Sequence, residues 1–140
     1  HYGYKNHAKV DAKSKLVLSY KSTAASVHDS QVLEDLIDDE DEAMFADSAY
    51  TSKSSDELLL KNDCQNFIQF KAQRGHPLTA EEIATNKLRS RIRVRCEHIF
   101  GRMSQMALDQ LRSIGLARAN QHIGLGNLVY NMDRYAFLCK

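Results

Sequence analysis

The sequence predicts an α/β domain built on a mixed sheet, and three observations carry that prediction. Two short apolar runs near the start, residues 6–10 and 16–20, flank the polar turn Asp11-Ala12-Lys13-Ser14-Lys15, the pattern of a β-hairpin. Two further apolar runs, residues 43–46 and 67–70, alternate with helical segments, as strands do in α/β domains. A capping box, Thr79-Ala80-Glu81-Glu82, then opens a helix that can run unbroken to about residue 105. The predicted order is β-β-α-β-α-β-α-α, in a single domain spanning residues 1–140.

Each element has a local cause. After the hairpin, Ser26 or the group His28-Asp29-Ser30 caps a helix in which Val32, Leu33, Leu36 and Ile37 recur at helical spacing. The acidic residues 38–42 end it. The continuous apolar run at 43–46 is the mark of a strand buried on both faces, and it delivers Asp47 at its tip. Ser52 to Ser55 offer caps for a helix through Leu58, Leu59 and Leu60, and Pro77 sits in a loop of breakers. In the long helix, Leu88, Ile92, Ile99 and Met103 form the predicted buried stripe. Glu97 falls on the side away from Leu88, in line with Arg93 one turn earlier. A closing helix over residues 117–138 carries Ile123, Leu128, Val129, Met132 and Ala136 toward the sheet. Gly124 and Gly126 cost it about 1 kcal/mol each relative to Ala.

Composition narrows the partners. With 140 residues, 43% hydrophobic and 26% charged, the chain fits one globular core and neither a fibrous nor a disordered class. No apolar run approaches the ~20 residues of a membrane span and there is no signal-peptide pattern, so no membrane partner is expected. Cys64, Cys96 and Cys139 lie far apart without a Cys-x-x-Cys spacing. Reduced thiols in a cytoplasmic protein are expected, with neither a zinc site nor a disulfide frame. The net charge of +1 hides an asymmetry: residues 34–42 are acidic, while residues 87–118 are rich in arginine with only Glu97 and Asp109 as counter-charges. Such an element suits either a phosphate backbone or a solvated helix face.

Two carboxylates from separate elements can share a divalent cation when they converge, because hard cations take oxygen ligands. Two ions ~3.5–4 Å apart can activate a nucleophile and stabilise a leaving oxygen in phosphodiester chemistry. Asp47 and Glu97 are the candidate pair, with neighbouring arginines to hold phosphates. The plainer alternatives stand beside this: Asp47 as a cap or turn former, and Glu97 as the ion-pair partner of Arg93.

Several segments occur in one order: His1-Tyr2-Gly3-Tyr4-Lys5-Asn6-His7, Ser26-Val27-His28-Asp29-Ser30, Ala46-Asp47-Ser48-Ala49-Tyr50, Arg93-Val94-Arg95-Cys96-Glu97-His98-Ile99-Phe100-Gly101, and Ile114-Gly115-Leu116-Ala117-Arg118-Ala119 followed by Asn127-Leu128-Val129-Tyr130-Asn131-Met132. The set resembles the C-terminal part of the DDE transposases of bacterial insertion sequences, of the IS-five type, over nearly the whole chain. The resemblance implies an RNase H-like mixed sheet flanked by helices. It also implies three acids that bind two Mg²⁺ or Mn²⁺ ions for hydrolysis at transposon ends and strand transfer into target DNA. Asp47 matches the family's second acid and Glu97 its third. Arg93 matches the arginine of the Tyr-x₂-Arg-x₃-Glu-x₆-Lys signature, whereas Ser90 and Ser104 stand where that signature has Tyr and Lys.

The family's first acid, on its first strand, precedes the Tyr-Gly-Tyr-Lys stretch. The chain therefore reads as the middle of a longer protein, lacking that strand and inactive alone, and Asp11 on the hairpin is no substitute. The partners implied are DNA and a second copy in a homodimer, at the bacterial nucleoid. Arg89, Arg91, Arg93, Arg95 and Arg102 are the candidate DNA contacts, each with a solvated charge as its alternative. His28 is a helix cap or a neighbour of the metal site, Tyr50 packs the loop behind it, and His98 packs or meets a phosphate. The rival function is a catalytically inactive remnant that at most binds DNA or dimerises.

Overall fold

The computed structural model describes residues 3–112 and 114–140, so His1 and Tyr2 of the opening motif lie outside the described residues. The element order is the predicted one: β1 (Tyr4–Val10), β2 (Val17–Ala24), α1 (Leu33–Leu36), β3 (Ala43–Met44), α2 (Lys53–Lys61), β4 (Gln65–Asn66), α3 (Ala80–Gln105) and α4 (Leu116–Leu138). The mixed α/β class holds. Among the described residues the strands form two small sheets, β1 with β2 and β3 with β4. The chain divides into two compact units: residues 1–27 with 95–140, and residues 28–94.

In the first unit β1 and β2 pair antiparallel from Tyr4↔Ala24 to Val10↔Val17, with an irregularity at Lys9/Val10. Asp11 closes the turn. Its Oδ2 accepts from the Ser14 amide at 2.7 Å and its carbonyl from the Lys15 amide at 2.9 Å, while Lys15 takes the left-handed φ of 61°. These bonds to Ser14 hold the Asp11 carboxyl below its usual range. Val17, Ile99, Met103 and Tyr130 make the core, flanked by Ala8, Val10, Tyr20 and Leu108.

α4 packs on this hairpin through a different face from the one predicted. Ala119, Ile123, Gly126, Asn127 and Tyr130 are buried, while Leu128, Val129, Met132 and Ala136 are exposed. Asparagines decide the face. Asn6 Nδ2 donates to Asn127 Oδ1 at 2.9 Å, Ser22 Oγ to Asn120 Oδ1 at 2.8 Å, and Asn131 accepts from the Val17 amide and donates to its carbonyl at 2.9 and 2.8 Å. Polar side chains that find strand partners are as much at home inside as apolar ones.

Gly124 is also set by this packing. A Cβ there would lie 2.3 Å from the Tyr20 hydroxyl oxygen and 3.1 Å from its Cζ. Tyr20 packs against the core cluster and cannot swing aside freely. Gly124→Ala is therefore expected to destabilise by ~1–3 kcal/mol despite Ala's better helix propensity. Urea unfolding measures this, and Tyr20→Phe in the same chain should recover part of the loss by removing the hydroxyl.

In the second unit Leu33, Leu59, Cys64 and Ile68 form the core, with Ile37, Met44, Ala46, Tyr50 and Leu58 packed around it. The predicted strand at 43–46 is regular only over Ala43–Met44, where Ala43 is exposed, so it is not buried on both faces. The predicted strand at 67–70 likewise shortens to Gln65–Asn66. The parallel ladder nevertheless continues: the amides of Gln65, Phe67 and Gln69 donate to the carbonyls of Glu42, Met44 and Ala46 at 2.9, 2.9 and 3.1 Å. The predicted helix after residue 30 is a 3₁₀ turn, Asp29–Gln31, and then the single turn α1. Ser52 caps α2, and the capping box of α3 forms as predicted, Thr79 N to Glu82 Oε2 at 2.8 Å and Glu82 N to Thr79 Oγ1 at 3.2 Å. Of the predicted α3 stripe, Ile99 and Met103 are buried and Ile92 is half-buried, but Leu88 is 60% exposed. Among the described residues no helix is long and apolar enough to cross a membrane.

Candidate active site

Asp47 lies just beyond the parallel ladder and caps the 3₁₀ turn Ser48–Tyr50. Its Oδ1 accepts from the Ala49 amide at 3.1 Å and the Ser48 hydroxyl at 3.2 Å. Its Oδ2 faces Arg93 Nη1 at 3.1 Å. The cap fixes one oxygen and leaves the other toward a cation. Arg93, half-buried on α3, thus meets an acid far from it in sequence.

The turn Asp29–Gln31 packs against the turn Ser48–Tyr50. Tyr50 is half-buried there. Burial pushes its phenol up to about 12, and the carboxylates of Asp29 and Asp47 add to the shift. His28 is exposed and turned to its own helix start, Nδ1 2.8 Å from Ser30 Oγ and accepting from the Ser30 amide at 3.3 Å. Asp29, not His28, is thus the residue of that pair whose charge reaches the Tyr50 phenol. The sequence holds a weak signal for it, because an Asp opening a tight turn places its carboxylate by the backbone rather than in solvent.

The phenol gives a pH prediction. Its folded pKa is raised above the ordinary 10.0 toward about 12. Below pH 10 the folded and unfolded states are equally protonated at this group. Between pH 10 and about 12 the unfolded chain loses the proton first, so stability falls as pH rises through that window. Tyrosinate absorbance of the folded protein should show this group ionising late, and Tyr50→Phe should remove its share of the alkaline loss of stability.

The other predicted residues are distributed as follows. Arg89 Nη1 donates to the Ile68 carbonyl, and its guanidinium lies 4.6 Å from the Phe70 ring centroid and 5.7 Å from that of Phe67. It clamps the end of the ladder to α3. Beside it, Asn86 closes both backbone groups of Phe70, at 2.8 and 3.0 Å, and Gln69 Nε2 donates to Ser90 Oγ at 2.6 Å. Arg91 is exposed.

In the first unit, Glu97 and His98 are exposed on α3 and Arg95 Nη1 donates to the Ala12 carbonyl at 3.0 Å. Arg102 forms a two-pronged pair with Asp133, both bonds 3.0 Å. That pair raises the guanidinium's pKa and holds Asp133 below the usual carboxylate range. Asp47 and Glu97 belong to different units. Among the described residues no three His, Cys, Asp or Glu side chains group as a metal cluster. Cys64 is buried, Cys96 half-buried and Cys139 exposed.

A family model for the transposase DDE domain matches residues 1–132. The chain belongs to that family. No solved structure matches it. Transposases act on DNA, and this family generally works with divalent metal ions. The donor chemistry of the transposase domain at Asp47 suits such an ion: a carboxylate oxygen is a hard ligand, and its Oδ2 already faces a positive charge.

Proposed function

We propose that this domain is the C-terminal part of an RNase H-like catalytic core in an insertion-sequence DNA transposase of the IS-five type. Asp47 and Glu97 are then the second aspartate and the glutamate of its acidic triad. The observation that supports this most is the setting of Asp47, whose carboxylate is held by Ser48 and Ala49 with its second oxygen facing the cation Arg93. Asp47 and Glu97 would hold Mg²⁺ or Mn²⁺, which in this chemistry activates the nucleophile and stabilises the leaving oxygen during strand hydrolysis and strand transfer.

The chain's own residues do the rest. Arg93 compensates the Asp47 charge, and the neutral Tyr50 walls the turn behind it. Arg91 and Arg95, both exposed, offer positive charge to phosphates. Arg89 and Arg102 would meet DNA only beside their present partners. A homodimer at nucleoid DNA is the working assembly.

The test is an NMR titration with Mn²⁺, which broadens the amides nearest the ion. Broadening centred on Asp47 and Glu97 supports the assignment. Broadening that is diffuse, or absent from both, overturns it and leaves an inactive module that binds DNA or dimerises.

A further inference from the structure

The first unit holds a cavity of about 410 Å³ where the hairpin turn meets α4, lined by Lys15, His98, Arg102, Tyr130, Arg134 and Phe137, among others. Among the described residues of the lining the one acidic side chain, Asp133, is already neutralised by the two-pronged pair with Arg102. The remaining charge in the lining is positive. One of the cations is fixed in place by the groups around it. Arg134 Nε donates to the Ser14 carbonyl at 2.7 Å and its guanidinium lies 5.0 Å from the Phe137 ring centroid, so its plane is set before any ligand arrives. Its terminal nitrogens have no hydrogen-bond partner among the described residues.

Lys15 sits at the left-handed position of the turn, and its carbonyl accepts from the buried Tyr130 hydroxyl at 2.9 Å. Its ammonium has no ion pair among the described residues. Positive φ costs a lysine energy that a glycine would not incur, so the side chain at this position calls for a reason. A cavity with a surplus of positive charge, a fixed guanidinium with open donors and no uncompensated acid among its described lining residues suits an oxyanion. Its wall includes His98, the residue next to Glu97 on α3.

We infer that this corner binds a phosphodiester group of the DNA backbone, through Lys15 and Arg134, at a position separate from the two acids. This rests on the DNA-processing role proposed above. It assigns Lys15 and Arg134, neither of them in the arginine-rich stretch of α3, to holding the strand next to Glu97.

The experiment uses the chain as it stands, with a short DNA duplex and, separately, inorganic phosphate at the same phosphate concentration. Duplex binding is measured across a salt series for the parent chain, Lys15→Gln and Arg134→Gln. Each lost phosphate contact should reduce the slope of log K against log salt by about 0.9. Lys15→Gln leaves every described bond of the turn in place, so it keeps the test valid if Arg134→Gln unfolds. The duplex, and not inorganic phosphate, should shift the amide signals of Lys15, His98 and Arg134. An unchanged slope in Lys15→Gln overturns the site, and so does a duplex that leaves those signals still. Shifts caused by inorganic phosphate alone overturn the DNA assignment in favour of a free-phosphate pocket. A chain that passes here but shows no Mn²⁺ broadening at Asp47 and Glu97 separates failure of the metal proposal from failure of this one.

Discussion

Glu97→Gln should weaken Mn²⁺ binding at least tenfold, about 1.4 kcal/mol, while leaving the fold intact. The side chain is exposed on α3, and glutamine has nearly the same shape and helix propensity. What the substitution removes is a charge and a hard oxygen donor, both of which a divalent ion needs. Unfolding free energy should therefore shift by no more than ~0.5 kcal/mol, as at ordinary surface positions. Asp47→Asn should give the same loss of ion binding at a larger cost to the fold. Its side chain can still cap the turn, but the ion pair with Arg93 is lost. If Glu97→Gln unfolds the protein, Glu97 is a structural ion-pair residue and the proposed site is wrong.

Ile99→Ala should cost ~2–5 kcal/mol, against a total stability of ~5–15 kcal/mol for a domain of ordinary kind. Ile99 is 1% exposed and belongs to the core with Val17, Met103 and Tyr130. Truncation leaves a cavity among the hairpin, α3 and α4, so amide exchange should accelerate in β1, β2 and α4. Leu88→Ala is the matched control on the same helix. At 60% exposure it should change stability by less than ~0.5 kcal/mol. Equal losses in the two variants would mean that Leu88 belongs to a buried stripe after all.

These two residues show what the sequence made legible. The helix itself was plain, because the Thr79 and Glu82 reciprocal cap is a local signal and nothing after it breaks the run until Gln105. Which turns of that helix are covered was not, since burial depends on what the tertiary fold brings alongside. Leu88 and Ile99 look alike in sequence. The same limit explains α4, where Asn120, Asn127 and Asn131 sit toward the strands and Leu128 and Met132 face outward, against the apolar spacing. Strand lengths were overestimated because apolar runs do not reveal how many ladder partners a strand will have.

At the candidate site, the strand-tip position marks Asp47 in the sequence, and the cap it forms is the plainer of the two roles that position allows. Its partnership with Arg93 spans a long loop of chain and left no local trace. The Lys15 and Arg134 corner was invisible for the same reason: two cations at opposite ends of the sequence meet only through the packing of α4 on the hairpin.

Asn131 at Val17 and Asn86 at Phe70 perform the same act in the two units. Each turns a helix-borne amide so that it takes both the N–H and the C=O of one extended residue. A side-chain amide carries the same donor and acceptor as a peptide unit, so each asparagine behaves as a strand one residue long. Backbone groups engaged in this way cannot template pairing with a strange chain, the usual hazard of an open sheet edge. With sheets only two strands wide among the described residues, these two asparagines are thus guards against aggregation as well as fasteners of the fold.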